Sequence, residues 1–287
     1  MSAIQDRIHT CLKTREIAAH CVDNVLAGQK DISELDFQQA LQSQLQKYPD
    51  LHEKGWYEPP PLGIAALFGE SPNYERLLFD NLRKQQFWPS SEYLFSAGSV
   101  GIIYLSPVDK SGIIGDFGLT AYRGDDLDVR QHIKKCYEVI KRGAGYAAEG
   151  MTFKELHEYA QKLFSELHLT NDRTAVYTDK KSSTGLGHIV PWTHEEITTA
   201  EQAVLEGRDF NAIKDLVSKK RIFINPVETF AIPATVAFTF EARLESLDNN
   251  NLPNVFFHLV VSFVDGQKTI HGNFESIFKT LGMDYMS

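Results

Sequence analysis

Cysteine is scarce. Cys11, Cys21 and Cys136 are the only three, odd in number and far apart in the chain. That excludes a disulfide framework and a paired-cysteine metal site, and it fits a reducing compartment. Positive charge is also in deficit: 29 Lys and Arg face 38 Asp and Glu, for a net charge of -9. A phosphate-binding surface needs clustered cations, so a nucleic-acid partner is not expected. The Ser218–Arg221 run (SKKR) and the Lys180, Lys181 pair are the local exceptions and read as solvated faces. Long apolar runs are missing too. No window approaches the roughly 20 apolar residues of a membrane span, and the opening MSAIQDRIHT lacks the basic-then-apolar order of a signal peptide. The expectation is a cytoplasmic protein with no membrane partner.

What is present is a chain of 287 residues, 43% hydrophobic, enough for one large core. Apolar residues at near-helical spacing from Ala3 to Leu26 predict a first helix, stopped by Gly28. Asp31 with Glu34 resembles a capping box for a second helix carrying Phe37, Leu41, Leu45 and Tyr48. The GWYEPPP segment, Gly55–Pro61, is a stiff loop, and a short helix is expected around Tyr74–Lys84 before the strand-like YLFSAGSVGIIYL. Val129, Ile133, Cys136 and Ile140 form a helical stripe. Thr152 and Glu155 cap a further helix with Phe153, Leu156, Tyr159, Leu163 and Leu167 on its buried face. Between these two helices Gly143–Ala148 matches GxGxxA, but it leaves a helix instead of a strand, so a dinucleotide site is not indicated.

The last third is strand-rich, with strands expected at 222–226, 235–245, 254–264 and 268–271, and a hairpin at Asp265–Gly266. Helices early, strands late and no βαβ alternation predict an α+β domain with a curved antiparallel sheet flanked by helices. We expect one domain over 1–287, with 1–50 as a helical N-terminal part.

The candidate chemistry centres on Ser111–Arg130, SGIIGDFGLTAYRGDDLDVR. Ile113, Ile114 and Phe117 have the character of a buried strand, and Gly115 and Gly118 allow another backbone or a ligand to approach Asp116. A carboxylate in so apolar a strand requires a metal, a cation or several donors. A second extended piece is expected to bring Asp126 and Asp128 near it. Further on, His188 stands in a glycine-framed segment, Gly185-Leu-Gly187-His188. Period two puts Glu241 of one strand and His258 of the next opposite the apolar face of each, so that pairing of those strands lets the two share a cleft. Carboxylates and imidazoles together form an O/N shell suited to a divalent metal. The alternative reading is a solvated sheet face.

In this order the motifs resemble the methionine aminopeptidase, aminopeptidase P and creatinase family, the pita-bread metallopeptidases. The matching pieces are Asp116-Phe-Gly118, Tyr122-Arg-Gly-Asp-Asp126-Leu-Asp128, Thr184-Gly-Leu-Gly-His188 and Phe238-Thr-Phe-Glu241. The resemblance implies a pita-bread fold, a divalent metal and a peptide or other small polar substrate. The departures are specific. The family's second Asp falls on Leu127, so Asp126 or Asp128 must replace it. The histidine expected before the first Asp falls near Tyr104, the later catalytic histidine falls on Glu195 beside His194, and the last bridging Glu falls near Phe257 beside His258.

What survives is one metal, Zn, Mn or Fe, held by Asp126 or Asp128, His188, Glu241 and His258. Asp116 sits in or next to that shell, and His194 or His258 serves as acid/base. Such a centre implies a hydrolase, with a non-haem iron oxygenase or lyase as an alternative. A second reading is a metal-free module that binds a peptide or protein partner, in which Asp116 meets Arg or backbone N–H donors in place of a cation. A third is assembly, a homodimer whose contact surface uses Trp56, Tyr57, Phe87 and Trp88.

Overall fold

The computed structural model describes residues 2–171, 179 and 181–286. In chain order its elements are α1 (Ala3–Gly28), β1 (Ile32–Ser33), α2 (Glu34–Leu45), β2 (Ile64–Gly69), β3 (Leu94–Phe95), β4 (Val100–Leu105), β5 (Phe117–Tyr122), α3 (Leu127–Tyr146), α4 (Phe153–Glu166) and β6 (Leu169–Thr170). There follow β7 (Ile189–Val190), α5 (Thr199–Glu206), α6 (Phe210–Lys220), β8 (Val236–Phe240), β9 (Arg243–Ser246), β10 (Val255–Phe256), β11 (Leu259–Val264), β12 (Gln267–His271) and α7 (Glu275–Leu281).

Two antiparallel sheets carry the architecture, β2-β4-β5 and β12-β11-β8-β7. A bridge between Leu119 and Phe257, with the His258 amide donating to the Gly118 carbonyl at 3.0 Å, stitches one to the other. In β8 the even positions Val236, Phe238 and Phe240 enter the main core, as period two dictates, where Phe153 of α4 meets Phe238 edge to face. The odd face, with Ala237, joins Val190, Trp192, Val260 and Ile8 in a second apolar cluster, covered by Ile213 and Val217 of α6 and by Trp56. Both faces are therefore buried, and the solvated-face alternative does not hold.

Local signals account for most of the elements. Thr152 and Glu155 form the expected capping box of α4, and Asp265 (φ 51°) with Gly266 (φ 79°) turns the β11–β12 hairpin. Elsewhere the structure differs from expectation. The N-cap of α2 is Ser33, whose hydroxyl accepts from the Asp36 amide, so Asp31 is left exposed. Residues 73–83 form two short 3₁₀ turns instead of a helix. Residues 222–226 contribute only a single bridge, Phe223 to His188. The two long C-terminal strands are each interrupted, at 241–242 and at 257–258, which is where the site residues lie. Lys180 lies outside the described residues. Arg221 does not belong to a solvated face, since its side chain is 5% exposed. Trp56 and Tyr57 are buried within the chain and supply no contact surface.

Candidate functional site

Asp116 immediately precedes β5, and α1 crosses directly over this point. A Cβ at Gly115 would come 2.5 Å from the Arg15 nitrogen, so only glycine admits that helix. The crossing sets Arg15, fully buried, over Phe117 at 5.0 Å. Its guanidinium donates to the Asp116 carbonyl, to the His258 carbonyl at 2.5 Å and to the Gly272 carbonyl at 2.7 Å.

His188 arrives by a second close approach. Gly187 (φ 150°) leaves no room for a Cβ, which would sit 2.1 Å from the Thr239 carbonyl oxygen. The His188 amide donates to Thr239 Oγ1 at 2.9 Å, and the Thr239 amide returns a bond to the His188 carbonyl at 2.8 Å. Glu241 follows two residues on, beyond the end of β8. His258 precedes β11, which pairs with β8 with Leu259 opposite Phe240, so His258 comes to stand beside Glu241.

Four of the residues singled out in the sequence thus converge. His188 Nε2 lies 3.6 Å from Asp116 Oδ2 and 3.6 Å from Glu241 Oε1, and His258 Nε2 lies 3.9 Å from Glu241 Oε2. All four are at most 4% exposed. Asp126 and Asp128 do not join them. The segment expected to be extended is instead the start of α3, where Asp126 accepts from the amides of Asp128 and Val129 as its N-cap. Both carboxylates are exposed and stabilise that helix end. His194 is not part of the cluster either. It packs against the Phe230 ring at 4.6 Å, with Glu195 and Arg7 as its charged neighbours.

Three arginines and a tyrosine complete the site, and sequence reasoning had assigned none of them to it. Arg221 Nη2 lies 3.7 Å from Asp116 Oδ2, and Arg243 Nη2 donates to Glu241 Oε2 at 3.0 Å. Tyr104, where the family resemblance expects a histidine, donates from its hydroxyl to Asp116 Oδ1 at 2.9 Å. Burial raises the pKa of Asp116, opposed by Arg221, the Tyr104 hydrogen bond and Arg15; burial likewise raises that of Glu241, opposed by Arg243. Burial, reinforced by the surrounding arginines, holds both imidazoles well below the ordinary histidine range, so both are neutral at pH 7.

The proton positions on the rings follow from their partners. The Ile189 carbonyl, 3.1 Å from His188 Nδ1, can only accept, so Nδ1 carries the proton and the Nε2 lone pair faces the two carboxyls. Arg15 Nη1, 3.1 Å from His258 Nδ1, can only donate, so the proton of His258 is on Nε2. Among the described residues, no group of three His, Cys, Asp or Glu side chains is arranged to hold a metal ion.

Solved peptidase structures share this architecture. The chain superposes on the X-Pro aminopeptidase from Thermotoga maritima MSB8 with a TM-score of 0.61 at 14% identity, covering 93% of this chain and 60% of that one. The prolidase from Pyrococcus horikoshii OT3 gives 0.62 at 15% identity, over 92% of this chain and 61% of that one. The methionine aminopeptidase from Thermotoga maritima gives 0.57 at 12% identity, over 91% and 96%. This chain therefore has the pita-bread fold of those peptidases, and it spans about 60% of the length of the X-Pro aminopeptidase and of the prolidase it matches. No family model and no curated protein matches the sequence. Among the described residues no helix is long and apolar enough to cross a membrane.

Proposed function

We propose that this chain is a metal-independent, non-hydrolytic member of the pita-bread fold, whose role is to bind a peptide-like partner. The observation that carries the reading is the charge balance of the buried cluster. Arg15, Arg221 and Arg243 already exceed the charge of Asp116 and Glu241, and Arg221 faces the same Asp116 oxygen that His188 faces.

A divalent cation does not fit this set. Placed between His188 Nε2, Asp116 Oδ2 and Glu241 Oε1, it would add two positive charges to a buried site that is already net positive, a few ångströms from a guanidinium. His258 could not serve as a neutral ligand, because its Nδ1 lone pair is taken by Arg15 and its Nε2 is protonated. The guanidiniums take over the charge compensation that a metal centre would supply. The second apolar cluster, with Trp56, Trp192 and α6, packs on the Ala237 face of β8, and Glu241, on that same side, is 4% exposed.

A peptide-like ligand is taken from the fold neighbours, which are named as an X-Pro aminopeptidase, a prolidase and a methionine aminopeptidase. The test is calorimetric titration of chelator-free protein with Zn(II), Mn(II) and Fe(II), alongside assays for proline release from X-Pro dipeptides. We expect no stoichiometric binding and no turnover with any of the metals. Stoichiometric metal uptake with hydrolysis would restore a mononuclear enzyme using His188 and Glu241, and iron uptake with oxygen consumption would favour an oxygenase.

A further inference from the structure

β12 is the outer strand of the β12-β11-β8-β7 sheet, and among the described residues it pairs with β11 alone. Gln267, Lys268, Thr269 and Ile270 are all exposed. The two-residue turn at Asp265–Gly266 fixes which backbone groups are free. Val264 and Gln267 close that turn as a hydrogen-bonded pair, so the N–H and C=O groups of Gln267, Thr269 and His271 point at β11, and those of Lys268 and Ile270 point outward. No hydrogen bond among the described residues uses the outward groups.

An open edge of this kind is ordinarily blunted by proline, a bulge or a projecting charge. Residues 266–272, GQKTIHG, hold no proline, and the pairing with β11 runs without a bulge. Lys268 carries the strand's charge, because burial and Arg15 hold His271 below the ordinary histidine range. Its ammonium is folded back onto the end of α3, donating to the Gly145 carbonyl at 2.5 Å and the Ala147 carbonyl at 2.8 Å. That charge therefore does not guard the edge.

The strand is complementary to itself. In an antiparallel register centred on Thr269, Lys268 of one copy stands opposite Ile270 of the other, and each such pair exchanges both of its backbone bonds. Thr269 faces Thr269 and Gln267 faces His271, so no two like charges oppose each other, in a chain whose net charge of -9 works against self-association elsewhere. Gly266 and Gly272 at the ends bring no side chain into the pairing. Ile270, 37% exposed, gains apolar cover on both sides of the axis.

We infer that the chain forms a two-fold dimer by edge-to-edge pairing of β12 with β12 of a second copy, which joins the two sheets into one. The inference goes beyond the binding role proposed above and depends neither on the Asp116 cluster nor on a ligand.

The experiment is sedimentation of the full chain over a micromolar to millimolar range, with point variants. Ile270→Pro deletes an outward N–H and leaves the β11 ladder intact, so it should fold as the parent does and weaken dimerisation at least tenfold. Thr269→Glu, on an exposed side chain, sets like charges face to face on the axis and should do the same; it is the second arm should the proline variant fail to fold. Thr269→Cys places two thiols on a non-hydrogen-bonded pair, where Cα atoms stand about 4.5 Å apart, within disulfide reach. In a glutathione redox buffer it should cross-link at least tenfold faster than Ile270→Cys, and Cys11, Cys21 and Cys136 are buried and do not compete. A parent that stays monomeric at millimolar concentration, a folded Ile270→Pro or Thr269→Glu that dimerises as tightly as the parent, or equal cross-linking of the two cysteine variants would overturn the proposal.

Discussion

Arg15 Nη1 and His258 Nδ1 lie 3.1 Å apart, joining the first helix to the residue just before β11, 243 positions later. The guanidinium also holds two carbonyls of the C-terminal region and the Asn273 side chain, at 3.2 Å, so it ties α1 to the site and to the turn after β12. Arg15→Met leaves those acceptors buried and unpaired and should cost about 3–5 kcal/mol, as removal of one partner from a buried charged network does. Arg15→Lys should not restore the loss, since one ammonium cannot replace the planar fork. Urea unfolding midpoints of the two variants against the parent check this, and near-parental stability for either would remove Arg15 from its role.

Arg221 should act through Asp116. With Arg221→Met, the Asp116 pKa, already raised by burial, rises further because its nearest opposing charge is gone. Below about pH 4 the carboxyl is protonated in both the folded and the unfolded chain, and the variant's deficit is smallest. As pH rises, the unfolded chain releases a proton that the folded chain keeps, so the deficit widens. Unfolding free energies of variant and parent at about pH 4.5 and about pH 7.5 should therefore diverge, and a constant difference would show that Asp116 does not feel Arg221.

His132 offers a cleaner titration. Burial pushes its pKa down to about 4, against the Pro253 carbonyl that Nε2–H donates to at 3.0 Å. A depressed histidine pKa means the unfolded chain binds the proton first, so stability falls as pH drops below about 6.5 and levels off near the folded value. The shift from 6.5 to about 4 converts to a loss of roughly 3 kcal/mol at the acid end. His188 and His258, displaced in the same direction, add to the same slope. Thermal melts from neutral pH down to about pH 4 should show the parent's midpoint falling and His132→Gln falling less steeply.

Two glycines should respond with opposite signs. Gly115→Ala forces a methyl against the α1 backbone at Arg15 and should cost about 1–3 kcal/mol or more. Gly145, inside α3, has open space where a Cβ would go, and Gly145→Ala should gain about 0.5–1 kcal/mol from helix propensity. Melting temperatures of the pair decide whether the α1 crossing is as tight as described.

The fold and half of the site were legible because they rest on local patterns and on order along the chain. Strict alternation over 235–245 and 254–264 places Glu241 and His258 on one face, and the glycines beside Asp116 and His188 signal close backbone approaches that the structure contains. Asp126 and Asp128 were misplaced because an N-cap Asp and a strand Asp look alike over a short window, and the amphipathic stripe of α3 begins only one turn later. The arginines were invisible for a different reason. Arg15 reads as one more polar position on an amphipathic helix, and Arg221 as the end of a basic run. Only long-range packing turns either one inward.

The Arg221 guanidinium lies 4.9 Å from the Trp56 ring, and Trp192 is fully excluded from solvent in the same cluster. Two of the three indoles in the chain therefore sit at the seal over the charged centre. Their emission colour is an intrinsic optical gauge of that closure: any movement of the 199–221 segment that admits water should redden the fluorescence before the remainder of the molecule unfolds.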